Sequence, residues 1–198
     1  MKPLILASGS PRRRELLSEA GVPHEVIPAD IDEQIQPGES PREMTLRLAR
    51  EKALAVAARI PEAPPRHVLG SDTTVVLDGE IIGKPRDAED AVSLLQRLTG
   101  RTHRVVTAVA IVETASGRVV DCAVESRVHM RSASEDALRD YVKTGEPLDK
   151  AGAYAIQGQG AWLVTGFEGS RTNIIGLPVE ETLALLKRAG YDPSGEPG

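Results

Sequence analysis

The chain is poor in the residues that mark many function classes. It has a single cysteine, Cys122, in 198 residues, so an intrachain disulfide is excluded and a reducing compartment fits. Four scattered histidines, His24, His67, His103 and His129, give no zinc-ligand spacing with that one thiol. Aromatics make up only 3%, which leaves a core of Leu, Val, Ile and Ala and few rings for bases to stack on. Basic residues do not dominate: 24 Lys and Arg against 29 Asp and Glu give a formal charge of −5. Proteins that coat DNA or RNA carry a net basic face, so no nucleic-acid partner is expected. No stretch approaches membrane-spanning length, and the apolar run at residues 1–7 is too short for a secretion signal. The expectation is a cytoplasmic protein with no membrane partner.

What is present is ordinary for a globular protein, with 40% hydrophobic and 27% charged residues. A short apolar strand at residues 4–7 precedes Ser8-Gly9-Ser10, and Ser10 with Pro11 reads as N-cap and first helical residue. That helix should stop at Gly21. Ser40-Pro41-Arg42-Glu43 is a capping box opening a long helix to about Arg59. Residues 68–69 and 74–77 read as strand, and Asp78-Gly79 as a hairpin turn into residues 80–82. Asp87 and Ser134 read as caps of two further helices. Residues 102–113 and 118–130 read as long strands, 161–165 as a strand and 178–189 as the last helix. Hairpins mixed with helices predict a mixed α/β fold. Residues 1–191 are expected to form one domain and 192–198 a frayed tail.

Several clusters could carry chemistry. Ser8-Gly9-Ser10-Pro11-Arg12-Arg13-Arg14 places three arginines at the positive end of a helix, which is useful where an anion will sit. Hydroxyls, first-turn N–H groups and guanidinium forks can together hold phosphate. On spacing alone, a charged helix start stands level with that reading. Asp72 in Gly70-Ser71-Asp72-Thr73-Thr74 and Lys84 in Gly83-Lys84-Pro85-Arg86 are, taken singly, better read as a turn and a solvated loop. Lys52 falls on an apolar stripe with Met44, Leu48 and Ala55, so it must snorkel or find a carboxylate such as Glu33 or Asp72. A structural ion pair serves equally well there. The Gly-rich run from Glu146 to Gly158 brings Asp149, Lys150 and the amide of Gln157 to a segment whose backbone can approach a ligand. Neither a Walker A sequence nor a dinucleotide fingerprint is present.

The residues Ala7-Ser8-Gly9-Ser10-Pro11-Arg12-Arg13, Arg50-Glu51-Lys52-Ala53, Gly70-Ser71-Asp72-Thr73, Gly83-Lys84-Pro85, Asp149-Lys150-Ala151-Gly152-Ala153-Tyr154 and Gly176-Leu177-Pro178 occur in one order along nearly the whole chain. In these the chain closely resembles the Maf family of nucleoside triphosphate pyrophosphatases, also called septum-formation inhibitor proteins. The resemblance implies a fold like that of the inosine triphosphate pyrophosphatases, with two α/β lobes around an elongated mixed sheet and the active site in a central cleft. It implies a catalytic quartet of Glu33, Lys52, Asp72 and Lys84, with Asp72 as general base. It also implies that a nucleoside triphosphate is the substrate, with Ser8, Ser10 and Arg13 among the phosphate contacts. A divalent cation, Mg²⁺ or Mn²⁺, is expected to bridge carboxylates and phosphate oxygens, with Asp72 a ligand and Glu33 either a second ligand or a charge partner for Lys52. Arg12, Thr73 and Gln157 match the branch that prefers dTTP and UTP, against the branch that takes 7-methylguanosine triphosphate. A homodimer is compatible with this. The alternative class is a nucleotide-binding regulator of septum formation with weak hydrolysis. A base beside the α-phosphate separates the two, since a binding module has no need of one.

Overall fold

A computed structural model describes residues 2–60 and 64–191. The expected tail at 192–198, and residues 61–63, lie outside the described residues. In chain order the elements are β1 (Leu4–Leu6), α1 (Pro11–Glu19), β2 (His24–Val26), α2 (Pro41–Ala57), β3 (His67–Leu77), β4 (Glu80–Ile82) and α3 (Ala88–Leu98). There follow β5 (Thr102–Glu113), β6 (Val119–Met130), α4 (Glu135–Lys143), three short 3₁₀ segments, β7 (Val164–Glu168), α5 (Arg171–Ile175) and α6 (Val179–Arg188). The seven strands form one sheet in the order β2-β1-β3-β5-β6-β7, with β4 on β3. β1 is parallel to β2 and β3, whereas the β3–β4 and β6–β7 pairs are antiparallel, so the sheet is mixed as the sequence leads one to expect. Among the described residues no helix is long and apolar enough to cross a membrane.

The chain divides into two compact units, and β3, β5 and β6 contribute residues to both. The described residues of the first unit are 2–60, 64–72, 107–124 and 176–191. Its chain runs β1-α1-β2, then returns through α2 to lay β3 on the other side of β1. The strand order therefore reverses at β1, and in open α/β sheets such a reversal leaves a ligand-sized crevice at the carboxyl ends of the strands. α1 starts as the sequence suggests, with Ser10 at the N-cap and Pro11 at the first helical position. α2 starts on the expected capping box: Glu43 N–H donates to Ser40 Oγ at 3.3 Å and Ser40 N–H donates to the Glu43 carboxylate at 2.9 Å.

The core of this unit is fine-grained, built on Ile5, Ala7, Ala49, Ala53, Val56, Val68, Ala108 and Ala110. Small residues let α2 lie directly on β3. A Cβ at Gly70 would stand 2.2 Å from the Ala49 carbonyl oxygen and 2.6 Å from the Ala53 nitrogen, both backbone atoms of α2. This corrects one expectation. Gly70-Ser71-Asp72-Thr73 does not turn, and Asp72 does not end a strand; β3 runs unbroken from His67 to Leu77. Gly70 is small because a helix presses on it, not because the chain reverses.

The second unit comprises residues 73–106 and 125–175. Its hairpin forms at Asp78 and Gly79, whose φ values of 52° and 87° are the paired left-handed angles of a tight hairpin turn. Asp87 caps α3 by accepting from Asp90 N–H at 2.8 Å, and Ser134 caps α4 by accepting from Ala137 N–H at 3.3 Å. Val75, Leu77, Ile82, Leu95, Leu98, Val128 and Leu138 are among the residues of its core. Beside them the buried His103 Nε2 lies 2.7 Å from the Tyr154 hydroxyl. Two elements differ from expectation. The strand placed at 161–165 is a 3₁₀ segment, Gly158–Leu163, followed by β7, and the short α5 has no counterpart in the sequence reading. A run as short as Arg171–Ile175 offers no helical period to detect.

Gly70→Ala should destabilise the first unit by at least about 3 kcal/mol, because only backbone can yield to the added methyl. Urea unfolding of the variant at wild-type stability would refute the close approach of α2. A second expectation concerns acid. Burial lowers the His103 imidazole from 6.5 to about 4. Between those values the unfolded chain binds the proton and the folded chain does not, so stability falls as pH drops through that window, by roughly 3 kcal/mol if the whole shift is expressed. His103→Phe should flatten this part of the stability–pH curve. Identical slopes for variant and wild type would contradict it.

Candidate active site

The carboxyl end of β1 opens the site. Ala7 N–H still donates to Leu69 C=O at 2.8 Å, and then the Ser8-Gly9-Ser10 segment leaves the sheet while β3 runs on. The buried Ser8 Oγ accepts from Ser10 N–H at 3.3 Å and from Arg13 Nη1 at 3.0 Å. Arg13 Nε donates to the Gly176 carbonyl at 2.9 Å, and Ser71 Oγ donates to the same oxygen at 3.5 Å. Gly176 has φ 131°, a value that suits glycine and turns this carbonyl toward the arginine. Burial lowers the Arg13 pKa from its ordinary value; Asp72 and Glu33 oppose that shift, while Arg12 adds to it. Ser10 has N-cap backbone geometry, but its hydroxyl makes no cap bond, and the first turn contains no acid. The helix start is thus cationic and not closed by its own cap, as an anion site requires. Arg12 Nε is buried and has no hydrogen-bond partner among the described residues.

Next to this loop lie two carboxylates and one ammonium. Lys52 Nζ is 2.7 Å from Asp72 Oδ1 and 2.7 Å from Glu33 Oε1. The Lys52 and Asp72 side chains are each 12% exposed, whereas Glu33 is 52% exposed. The stripe reading of Lys52 therefore resolves in favour of a partner: it follows the buried Met44 and Leu48 at four-residue spacing on α2, and its head meets acids. Asp72 owes its place to β3 outrunning β1. Lys52 owes its place to the neighbouring Ala53, which rests against Gly70.

In the second unit, Lys84 is exposed and makes no hydrogen bond or ion pair with a described residue. Gly83 C=O accepts from Gly152 N–H at 3.0 Å, which ties the Lys84 segment to the Gly-rich run. That run is ordered by Glu146, whose carboxylate accepts from Tyr141 O–H at 2.7 Å, Gly160 N–H at 2.8 Å and Gln159 N–H at 3.0 Å. Gln157 is half-buried ahead of a 3₁₀ segment, and its amide makes no cap bond. Thr73 follows Asp72 on β3 and is half-buried.

A match to the Maf-like protein family spans residues 3–189. The chain belongs to the Maf family. Proteins called dTTP/UTP pyrophosphatase in Anaeromyxobacter dehalogenans and Myxococcus xanthus are 52% and 53% identical to it, over 95% and 94% of this chain and 94% and 92% of their own. One of the same name from Escherichia coli is 50% identical over 94% of this chain and 92% of its own. A crystal structure of a nucleoside-triphosphatase / dITP/XTP pyrophosphatase from Mycobacterium abscessus aligns at TM-score 0.44 with 17% identity, over 95% of this chain and 96% of that one. A likeness at that level supports no inference.

Of the Maf residues singled out from sequence, Ser8, Arg13, Glu33, Lys52 and Asp72 are linked to one another or share electrostatic contact in the first unit. Ser10 and Arg12 stand at the start of α1 in the same unit. Lys84, Thr73 and Gln157 belong to the second unit. The sequence reading missed Gly176 and Ser71 as supports of Arg13, a contact between residues 163 positions apart that leaves no local signal. Among the described residues, no group of three or more His, Cys, Asp and Glu could hold a metal ion. The donors do suit a cation shared with substrate: Mg²⁺ uses one or two carboxylates and completes its shell with phosphate oxygens and water. The point shared by Glu33 and Asp72 is taken by the Lys52 ammonium, 2.7 Å from each.

Lys52→Met should cost about 2–3 kcal/mol, because Asp72 is then left largely buried and unpaired while Glu33 turns to water. Adding Asp72→Asn to it should recover part of the loss. If urea unfolding gave Lys52→Met the stability of the wild type, the pair would not be desolvated.

Proposed function

We propose that this Maf protein hydrolyses dTTP and UTP to the nucleoside monophosphate and pyrophosphate. The observation that carries the reading is the Lys52 ammonium between Asp72 and Glu33, beside the arginine-rich start of α1. The names of the relatives support it. In this reading Arg13, braced by Ser8 and Gly176, holds phosphate together with the Ser8 and Ser10 hydroxyls, Lys52 and Lys84. The bond from Lys52 fixes the plane of the Asp72 carboxylate, and Asp72 orients or deprotonates the water that attacks the α-phosphorus. Positioning and charge neutralisation do most of the work in such an in-line displacement. The three cations assigned to phosphate, Arg13, Lys52 and Lys84, against two acids, Glu33 and Asp72, leave one formal positive charge for a polyphosphate carrying several negative ones. That shortfall supports a divalent cation held by Asp72 and Glu33. When bound, it supplies Lewis-acid stabilisation and a more acidic water.

Arg12, Thr73 and Gln157 are assigned to the base and sugar. A pyrimidine such as uracil shows two carbonyls flanking one N–H, which an amide can meet as both donor and acceptor. The unpartnered Arg12 Nε supports the same assignment, since a buried donor without an acceptor is costly until a ligand supplies one. A cytoplasmic setting suits a nucleotide substrate.

The test is a panel of dTTP, UTP, CTP, ATP, GTP and 7-methylguanosine triphosphate with Mg²⁺ or Mn²⁺ in ¹⁸O-labelled water. The label should enter the monophosphate, and dTTP and UTP should lead by roughly tenfold to hundredfold. Asp72→Asn should lower kcat by about a hundredfold or more with nucleotide binding retained. Gln157→Ala should narrow the base preference more than it lowers the best rate. Label in pyrophosphate would place the attack elsewhere. Equal rates on purines would overturn the base assignment, and tight binding without turnover would favour the regulator.

A further inference from the structure

Glu33 lies in a segment, residues 27–40, that has neither helix nor strand. Its side chain is half exposed, yet its carboxylate meets Lys52 Nζ at 2.7 Å. Ordering an irregular segment is entropically costly, so that contact needs a restraint stronger than one solvated ion pair. The restraint comes from α2 itself. Arg47 Nε donates to Glu39 Oε1 at 2.6 Å and Arg47 Nη2 donates to Glu39 Oε2 at 2.8 Å, a two-pronged pair. The same Nη2 donates to the Gln34 carbonyl at 3.0 Å, and Nη1 donates to Glu51 Oε2 at 3.1 Å. The Arg47 and Glu39 side chains are only 19% and 11% exposed.

The pattern within the segment continues this grip. Gln36 N–H donates to Glu39 Oε2 at 3.2 Å, and Gln34 N–H donates to Asp32 Oδ1 at 3.1 Å. Arg47 thus holds residues 34 and 39 at once, and residue 34 is the chain neighbour of Glu33. We propose that Arg47 is a positioning residue for the reaction: it fixes the acidic segment on α2 so that Glu33 reaches Lys52, and through Lys52 it sets the Asp72 carboxylate. This rests on the pyrophosphatase reading above. A planar fork with five donors is needed, because one head must serve two carboxylates and a carbonyl; an ammonium with the same charge lacks that geometry. The competing explanation is plain stabilisation of α2 by the Arg47–Glu51 pair, one turn apart.

The two explanations separate in a double-mutant cycle. Arg47→Lys and Arg47→Met are made alone and with Glu33→Gln, and pyrophosphate release from dTTP is measured alongside deuterium exchange of residues 30–39. Each Arg47 variant should lower kcat by about tenfold alone and by less than about twofold in the Glu33→Gln background. Exchange should quicken in residues 30–39 and stay unchanged along α2. Fully additive losses, or unchanged exchange in the segment, would overturn the proposal. If Arg47→Met fails to fold, Glu39→Gln leaves the arginine in place and should give the same pattern more weakly; an additive result there overturns the proposal too. Wild-type protein is the control. Absence of release from it overturns the reaction, while exchange alone still decides whether Arg47 orders the segment.

Discussion

The contact of α2 with Gly70 is the constraint on which the candidate site depends. The helix backbone at Ala49 and Ala53 lies where any side chain on residue 70 would stand. A larger residue would lift the helix, and Lys52, next to Ala53, would lift with it. The Lys52–Asp72 distance of 2.7 Å is therefore a consequence of backbone packing two residues before the aspartate. Packing of this kind has no soft direction, because interiors are close-packed and backbone atoms cannot change rotamer.

That rigidity is used to hold charge where charge is unfavourable. A lysine and an aspartate at 12% exposure contribute little net stability as a pair, since desolvation offsets most of their attraction. Hydrophobic residues of similar size would serve the fold as well. Their presence is understandable if a substrate supplies further charge, because a low-dielectric setting strengthens each contact made there. Arg13 follows the same logic. Burial works against its proton, and Ser8, Gly176 and the neighbouring carboxylates compensate.

Much of the fold was legible because it is locally encoded. The capping box at Ser40, the caps Asp87 and Ser134, and the Asp78-Gly79 turn each involve residues within four positions of one another. Of the two long strands, β5 announces itself by seven β-branched residues in twelve, and β6, with four valines in twelve, is joined to it by the Ala115-Ser116-Gly117 turn. The failures share a cause as well. Glycine punctuates a sequence whether it permits a turn or admits a helix, and at Gly70 the second use looked like the first. The site residues were legible as motifs, but not the supports: Arg47 reaches Glu39 and Gln34 across eight and thirteen positions, and Arg13 reaches Gly176 across 163. Periodicity has no access to such pairs.

The two carboxylates that meet Lys52 also differ in how they are held, and the difference bears on their chemistry. Asp72 is carried by a strand interior, hydrogen-bonded in a sheet and fixed by the helix above it. Glu33 is carried by an irregular segment that relies on side-chain contacts, chiefly from Arg47. Elements with few buried backbone bonds open first when a protein fluctuates, whereas strand interiors open last. A group that must hold an attacking water in line belongs on the rigid support, and a group that must yield to an arriving cation or phosphate belongs on the adjustable one. On that ground Asp72 is suited to the base and Glu33 to a ligand or charge partner. The 52% exposure of Glu33 against the 12% of Asp72 points the same way.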